Sequence, residues 1–290
     1  MALPPAGCSG PCWVATTATR KVTALSRWLR AALLVAATGC ALPALALSVQ
    51  MEDLTWTELR DRIAAGATTA LVPIGGTEQN GPHMTLGKHN VRVKLLAARI
   101  AERLGNAVVA PVIAYVPEGV IEPPSQHMRY SGTISIPESV FEATLEAAAR
   151  SLRRHGLRDI VLLGDHGGYR ASLDRVAARL NREWGTAARV HSLPEYYRAA
   201  QEDFAAALKA RGFGGEEIGL HAGLADTALM LALDPSQVRM EVAAARPRGA
   251  QQDGVTGDPR RATSALGQVG VERVVEAAVA AIRARAQQSK

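Results

Sequence analysis

Apolar and polar positions along the chain follow two alternating periods. Short runs rich in β-branched and other apolar residues predict buried strands over 69–74, 107–115, 159–163 and 189–193. Amphipathic stretches between and after them predict helices over 55–65, 90–104, 137–155, 171–184, 194–211, 222–233 and 271–287. Strands that alternate with helices predict an α/β fold, a mostly parallel sheet covered by helices on both faces.

The first 46 residues differ from the rest of the chain. Four basic residues and no acidic ones precede an apolar run at 31–47, which contains the small-x-small triplet Ala44-Leu45-Ala46. This order of features predicts an export signal that is cleaved near Ala46, and therefore a periplasmic mature protein without stable membrane insertion. Acylation at Cys40 and an uncleaved membrane anchor are the alternatives. No linker rich in proline or serine divides residues 47–290, which predicts a single domain there.

Most of the net positive charge of the chain lies in this leader. The whole chain has 33 Lys and Arg against 27 Asp and Glu, a net charge of +6. Four of the positive charges lie in the leader, so the remainder has 6 − 4 = +2. A nucleic-acid partner is therefore not needed to explain the basicity. All three cysteines also lie in the leader, which excludes a disulfide framework or thiolate site in residues 47–290.

Candidate metal chemistry lies in two loops that follow predicted strands. Residues 75–89 carry Glu78, His83 and His89, and residues 164–169 carry Asp165 and His166. Loops that leave the carboxyl ends of parallel strands converge on one crevice. Carboxylate oxygens and imidazole nitrogens suit Zn²⁺, Mn²⁺ or Fe²⁺. The two loops together predict a divalent-metal site, although spacing alone does not fix which side chains bind.

A third segment adds candidate acid–base chemistry. His221 stands where a helix is predicted to begin, and Asp226 follows in its first turns, where it could orient His221 or hold a substrate. A neutral imidazole in this place suits a general acid or base. A loop spans residues 117–132, and its part at 117–130, with His127 and Tyr130, is predicted either to cover the site as a lid or to be a plain surface loop. Lys88 is predicted to be a solvated loop charge.

Five segments in order over residues 54–267 resemble the creatininase (creatinine amidohydrolase) family. They are VPIGGTEQNGPH (72–83), GTISI (132–136), GDHGG (164–168), HAG followed by DT (221–227), and GVTGDPR followed by AT (254–263). The resemblance implies a three-layer α/β/α fold and homo-oligomers. It also implies metal-dependent hydrolysis of amide bonds in cyclic or otherwise small substrates.

The resemblance also implies a ligand set, from which this chain departs. Creatininase uses two metals, and the ligands of the first fall here on Glu78, His89 and His166. The ligands of the second fall on Asn80, His89 and Gly168. Glycine offers no ligand, and an imidazole does not bridge two ions as a carboxylate does. The sequence therefore favours one metal, with Zn²⁺ preferred over Mn²⁺ or Fe²⁺, held by Glu78, His89 and His166. His83 and Asp165 are the weaker candidates.

Two functions follow from this ligand set. In the first, a metal-activated water attacks a small amide and His221 protonates the leaving nitrogen, so the partner is a small-molecule substrate. In the second, the chain is a catalytically inactive metal- or ligand-binding protein on the same scaffold, because the second metal site is lost. Turnover of a panel of small amides with and without metal would discriminate between them.

Overall fold

A computed structural model of the protein describes residues 48–247 and 253–288. The strands in these residues are β1 (Thr69–Ile74), β2 (Ala107–Val109), β3 (Asp159–Gly164) and β4 (Arg189–Ser192). They form one parallel sheet in the order β2-β1-β3-β4. β1 and β3 pair along their whole length, from Thr69 opposite Asp159 to Ile74 opposite Gly164. The two central strands therefore end together at one edge of the sheet.

The helices pack on both sides of this sheet. They are α1 (Trp56–Ala64), α2 (Lys88–Leu104), α3 (Glu138–Arg154), α4 (Arg170–Trp184), α5 (Pro194–Arg198), α6 (Phe204–Lys209), α7 (Gly215–Ile218), α8 (Leu224–Leu233), α9 (Met240–Ala245) and α10 (Ser264–Gln288). A π-helical turn, Ala199–Asp203, joins α5 to α6. Short 3-10 turns lie at Met51–Asp53, Gln126–Arg129, Gly167–Tyr169, Pro235–Gln237 and Pro259–Arg261.

Two buried clusters fill the spaces between the sheet and its helices. Leu71 of β1 packs with α2, α8 and α10, while its neighbour Val72 packs with α3 and α4. Val161 and Leu162 of β3 divide between the two clusters in the same way. Successive side chains of a strand point to opposite faces, so a strand that is buried on both faces reads as a continuous apolar run. The predicted three-layer α/β/α fold with a parallel sheet is confirmed.

Two predicted elements have an end that differs from the structure by six or seven residues, and in each case proline or glycine explains the difference. The strand predicted over 107–115 ends at Val109, because Pro111 has no backbone N–H for the ladder; Ile113 then makes an isolated bridge to Ile74. α10 begins at Ser264, although Gly267 and Gly270 read as helix breakers. A Cβ atom at Gly267 would lie 1.8 Å from the carbonyl oxygen of Ala228 in α8, so glycine there allows the two helices to pack closely.

The predicted export signal, residues 1–46, lies outside the described residues, so its cleavage near Ala46 and the alternative acylation at Cys40 stay predictions. The single domain predicted for residues 47–290 also stays a prediction. Among the helices that the structure describes, none combines the length and the apolar character that a membrane crossing requires.

Candidate metal centre

Three loops meet at the carboxyl edge of the sheet. The loop after β1 carries Glu78, the loop after β2 carries His127, and the loop after β3 carries His166. Parallel strands direct their following loops to the same edge, which brings these distant residues together. His221 joins them from the segment before α8, where its backbone pairs with Thr256 in an isolated bridge.

The carboxylate of Glu78 is fully buried at the centre of this group. Its Oε1 atom lies 2.8 Å from His89 Nε2, while its Oε2 atom lies 3.2 Å from His127 Nε2 and 3.6 Å from His166 Nε2. Burial opposes the ionisation of Glu78, but His89 and Lys88 outweigh it and hold the pKa of this carboxyl well below its usual 4.5. Glu78 is therefore an anion in the neutral pH range.

Two overlapping sets of side chains in the described residues offer ligands for a metal ion. One donor group is Glu78, His127 and His221, and the other is Glu78, Glu118 and His166. The ligand atoms of each donor group lie within 4.8 Å of one another. Glutamate oxygen and histidine nitrogen are ordinary ligands of Zn²⁺ in proteins. The chemistry of both donor groups therefore fits a divalent metal.

Unpartnered oxygen atoms mark the same place. Glu78 Oε2 and both carboxylate oxygens of Glu118 are buried and have no hydrogen-bond partner among the described residues. A buried polar group without a partner costs about 1–3 kcal/mol. Burial and the charge of Glu78 raise the pKa of Glu118 to about 9. A cation between the two carboxyl groups, or a proton on Glu118, would satisfy these atoms, so the site fits a divalent ion.

The histidines of the two donor groups are neutral at pH 7. Burial lowers the pKa of His166 to about 3 and that of His221 to about 4, and it also lowers the pKa of His127. An imidazole that is moved out of water loses the hydration of its charged form, which favours the neutral ring. A neutral ring keeps a lone pair for a metal or for an incoming proton.

His89 lies against Glu78 but belongs to neither donor group. Its Nε2 atom faces Glu78, and its Nδ1 atom lies 2.6 Å from Asp165 Oδ2. Asp165 is buried and also accepts hydrogen bonds from Arg92 and Tyr196. Both ring nitrogens of His89 therefore face carboxylate oxygens, and His89 as a metal ligand stays a prediction. His89 thus positions Glu78, and Asp165 in turn positions His89.

Asp226 is directed at two buried cations rather than at His221. Its carboxylate accepts from Lys88 Nζ at 3.1 Å and from Arg92 Nη1 at 2.6 Å. His221 instead donates from Nε2 to the backbone carbonyl oxygen of Gln79 at 2.9 Å, which leaves Nδ1 facing Glu78 at 3.7 Å. The backbone of the first loop therefore orients His221, which is the role that the sequence suggested for Asp226.

The prediction that Lys88 is a solvated loop charge is wrong. Lys88 is 1% exposed, and its Nζ atom lies 3.8 Å from Glu78 Oε1 as well as against Asp226. α2 begins at Lys88, two residues before the predicted start, so Lys88 and Arg92 stand one turn apart on its buried face. A helix predicted to begin at Lys88 would have placed Lys88 and Arg92 on the same helix face.

Sequence reasoning missed Glu118 and gave His127 only a place in a loop. Neither residue has a regular spacing from the other ligands, so no pattern in the sequence signals them. Gln79 was also missed: its Nε2 atom lies 3.1 Å from His127 Nδ1 and 3.1 Å from His221 Nε2. This amide can donate to His127 Nδ1 but only lies against His221, whose Nε2–H is already donated to the Gln79 carbonyl oxygen.

The comparison with known families decides what kind of protein this is. A sequence model of the creatininase family, described as creatinine amidohydrolase, matches residues 52–282. The chain belongs to the creatininase family. It is accordingly a creatininase-like hydrolase that acts on C–N bonds.

Individual creatininase-family proteins resemble the chain over most of its length. It is 31% identical over 200 residues to a creatinine amidohydrolase from Pseudomonas putida, covering 67% of this chain and 75% of that protein. It is 29% identical over 220 residues to a mycofactocin precursor peptide peptidase from Mycolicibacterium smegmatis, covering 68% and 77%. A solved creatininase mutant, in which alanine replaces a tryptophan, superposes with a TM-score of 0.68 at 27% identity, covering 82% of this chain and 98% of that one. Other solved creatininases include a Mn form and a Zn-Zn form of a glutamate-to-glutamine mutant.

His83, the weaker metal candidate in this creatininase-family chain, lies in neither donor group. Its ring is fully buried, and Nε2 lies 3.0 Å from Thr227 Oγ1. Burial, with a smaller effect of Arg246, lowers the pKa of His83 from 6.5 to about 4. Protonation is thus disfavoured in the folded state, while the unfolded chain takes up a proton near pH 6.5.

We therefore expect the metal-free protein to lose stability as the pH falls from about 6.5 towards about 4, where the unfolded state binds more protons. His83 accounts for up to about 3 kcal/mol of that loss. A His83→Gln variant should show a flatter dependence of the unfolding free energy on pH, measured by urea denaturation between pH 4 and 7. Identical slopes for the variant and the wild type would contradict this role of His83.

Proposed function

We propose that the protein hydrolyses the amide bond of a small substrate with one divalent metal bound at Glu78. The observation that carries this proposal is the buried Oε2 atom of Glu78, which has no hydrogen-bond partner in the described part of the chain and faces His127 and His166 at 3.2 and 3.6 Å. A protein interior tolerates such an anionic oxygen when a cation balances it. Zn²⁺ is the preferred ion, with Mn²⁺ and Fe²⁺ as alternatives, because the donors are carboxylate and imidazole.

The two oxygens of Glu78 support one metal rather than two. Oε1 is already engaged by His89 and lies 3.8 Å from the ammonium group of Lys88. Oε2 is the oxygen that remains open. Of the ligands that the sequence predicted, His166 faces this oxygen, with Nε2 at 3.6 Å. Glu78 and His166 would hold the metal. When bound, a Zn²⁺ ion would lower the pKa of a water molecule to about 7 and so activate it for attack.

His221 would carry the proton between water and leaving group. Its ring is neutral, and because Nε2–H is donated to the carbonyl of Gln79, Nδ1 presents a lone pair towards Glu78. Nδ1 takes the proton that the attacking water loses and delivers it to the nitrogen that leaves the tetrahedral carbon. The hydrogen bond to the Gln79 backbone fixes the tautomer through both steps.

A pocket of suitable size adjoins the metal site. A cavity of ≈ 560 Å³ lies beside Gly168, between the 117–132 loop and the start of α3. Small-molecule sites are typically about 300–1,000 Å³. The relatives act on creatinine, a small molecule, and on a precursor peptide, as their names state. We propose a small, cyclic amide as the substrate class; an assay of cyclic amides, lactams, formamides and short peptides on metal-loaded protein tests it.

A His221→Ala variant separates this mechanism from the alternatives. It should keep its bound metal and lose about a hundredfold to ten-thousandfold in kcat, because general acid–base catalysis is removed while the ligands stay. Metal content by plasma mass spectrometry and turnover of the best substrate in the panel measure both effects. Loss of metal would make His221 a ligand instead. Absence of turnover by the metal-loaded wild type across the whole panel would favour the inactive binding protein.

Two further proposals concern where and how the enzyme works. Export to the periplasm rests on the predicted signal at residues 1–46 and is tested by N-terminal sequencing of periplasmic protein. A homo-oligomer rests on the family resemblance and is tested by light scattering.

A further inference from the structure

Glu118 is a loop residue with the burial of a core residue. It is 1% exposed, although the 117–132 loop that carries it includes strongly exposed apolar residues, among them Val120 and Ile121. The backbone N–H of Glu118 donates to Ser135 Oγ at 3.0 Å, and the same hydroxyl donates to the carbonyl of Gly119 at 2.7 Å. This double contact fixes the start of the loop and directs the side chain inward.

The first loop leaves room for the Glu118 carboxylate. Gly76 has φ 153°, and a Cβ atom there would lie 2.3 Å from Glu118 Oε1. A side chain at position 76 would therefore collide with this carboxylate as well as strain the backbone. On the opposite side, a Cβ atom at Gly168 would lie 3.0 Å from the ring of His166 and 3.8 Å from the carbonyl oxygen of Pro117. Gly76 thus makes room for the carboxylate itself, and Gly168 makes room for the His166 ring and the backbone next to Glu118.

No hydrogen bond from a protein donor in the described residues reaches the Glu118 carboxylate, so a bound cation or a proton on Glu118 itself would have to satisfy it. Neither Glu118 oxygen has a hydrogen-bond partner there, and Lys88, the buried cation of the site, is engaged by Asp226. His166 Nδ1 lies 3.5 Å from Glu118 Oε2, but this nitrogen accepts a hydrogen bond from the backbone N–H of Gly168 and so does not donate to Glu118. The lone pairs of Glu118 therefore face the same space as Oε2 of Glu78.

We propose that Glu118 is a metal ligand, and that the 117–132 loop thereby forms one wall of the metal site. This inference rests on the proposed function, because it adds a third ligand to Glu78 and His166. The same loop brings His127 to the other donor group, at 3.2 Å from Glu78. The loop is thus part of the metal-binding apparatus and not a cover placed over a finished site.

Titration calorimetry with Zn²⁺ alone tests this assignment on metal-stripped protein. A Glu118→Gln variant keeps the shape of the side chain but offers a poor ligand, so its Zn²⁺ affinity should fall by at least about tenfold. A Glu122→Gln variant is the matched control, because Glu122 lies exposed in the same loop, and it should bind Zn²⁺ as the wild type does. Thermal unfolding of each metal-free variant shows whether it is folded.

A second measurement needs no variant. In crystals of the wild type soaked with Zn²⁺, the anomalous peak should lie about 2.0–2.2 Å from a Glu118 oxygen. A peak bound by Glu78 and His166 without Glu118, or equal Zn²⁺ affinities of Glu118→Gln and wild type, would overturn the assignment and leave the proposed function intact. A peak bound by His127 and His221 without Glu118 would overturn the assignment and also the proposed role of His221 as proton carrier. A wild type that binds no Zn²⁺, Mn²⁺ or Fe²⁺ would overturn both.

Discussion

A Glu78→Gln variant should bind no divalent metal and lose at least about a thousandfold in kcat/KM, since a catalytic metal supplies several kcal/mol of transition-state stabilisation. Glu78 is the residue that both donor groups share, and its open Oε2 atom faces the rings of His127 and His166. The amide of glutamine has the same shape but no charge. Metal content after dialysis and turnover with added Zn²⁺ measure the two effects separately.

The Glu122→Gln variant again serves as the control for metal content, because it removes one carboxylate from the loop without touching a donor group. Glu78 also faces His89 and Lys88, so the variant needs a check of folding by circular dichroism and thermal unfolding. Retention of about one metal per chain with loss of turnover would make Glu78 a base rather than a ligand. Retention of both would remove the central element of the proposed mechanism.

The elements that the sequence predicted most accurately are those with a clear pattern of apolar residues. β1 has its predicted bounds, Thr69–Ile74, because a fully buried strand reads as an unbroken apolar run between polar turns. α3 differs from its prediction by one residue at each end and α4 by one residue at its start, as helix boundaries usually do. The strand predicted over 107–115 was too long, because the apolar run continues beyond Val109, where β2 ends just before Pro111.

The site was predictable only where a strand ends. Glu78 and His166 follow β1 and β3, and the rule that parallel strands direct their loops to one edge placed them together. Glu118 follows no strand directly, and the residue at which the family resemblance expects a carboxylate, Gly168, has no side chain. A ligand supplied by a different loop leaves no trace in the spacing of the sequence.

The buried charges were missed for a different reason. Lys88 and Arg92 look solvated in a sequence, because a buried cation becomes favourable only through partners that are distant along the chain. Asp165 lies 73 residues from Arg92 and Asp226 lies 134 residues from it. The sequence shows which groups can ionise, but the pairing that allows their burial is a property of the folded state.

An Arg92→Met variant should lose about 3–5 kcal/mol of unfolding free energy, the usual cost of leaving buried charges without their partner. The guanidinium is 1% exposed and donates to Asp165 Oδ2 at 2.8 Å and to Asp226 Oδ1 at 2.6 Å. Burial opposes its charge, but the two carboxylates raise the pKa of Arg92 above its ordinary value. Urea denaturation of the metal-free protein at pH 7 measures the loss.

Lys94→Met is the matched control, because Lys94 lies on the same helix with its side chain 47% exposed and only a 3.8 Å contact to Glu52. It should change the unfolding free energy by less than about 0.5 kcal/mol. The double variant Arg92→Met with Asp226→Asn removes one cation together with one of its anions. It should therefore cost clearly less than the sum of the two single variants, because the uncompensated charge at position 226 is gone. Additive costs would mean that Arg92 stabilises the fold through packing, and that the charges of Arg92 and Asp226 are not coupled.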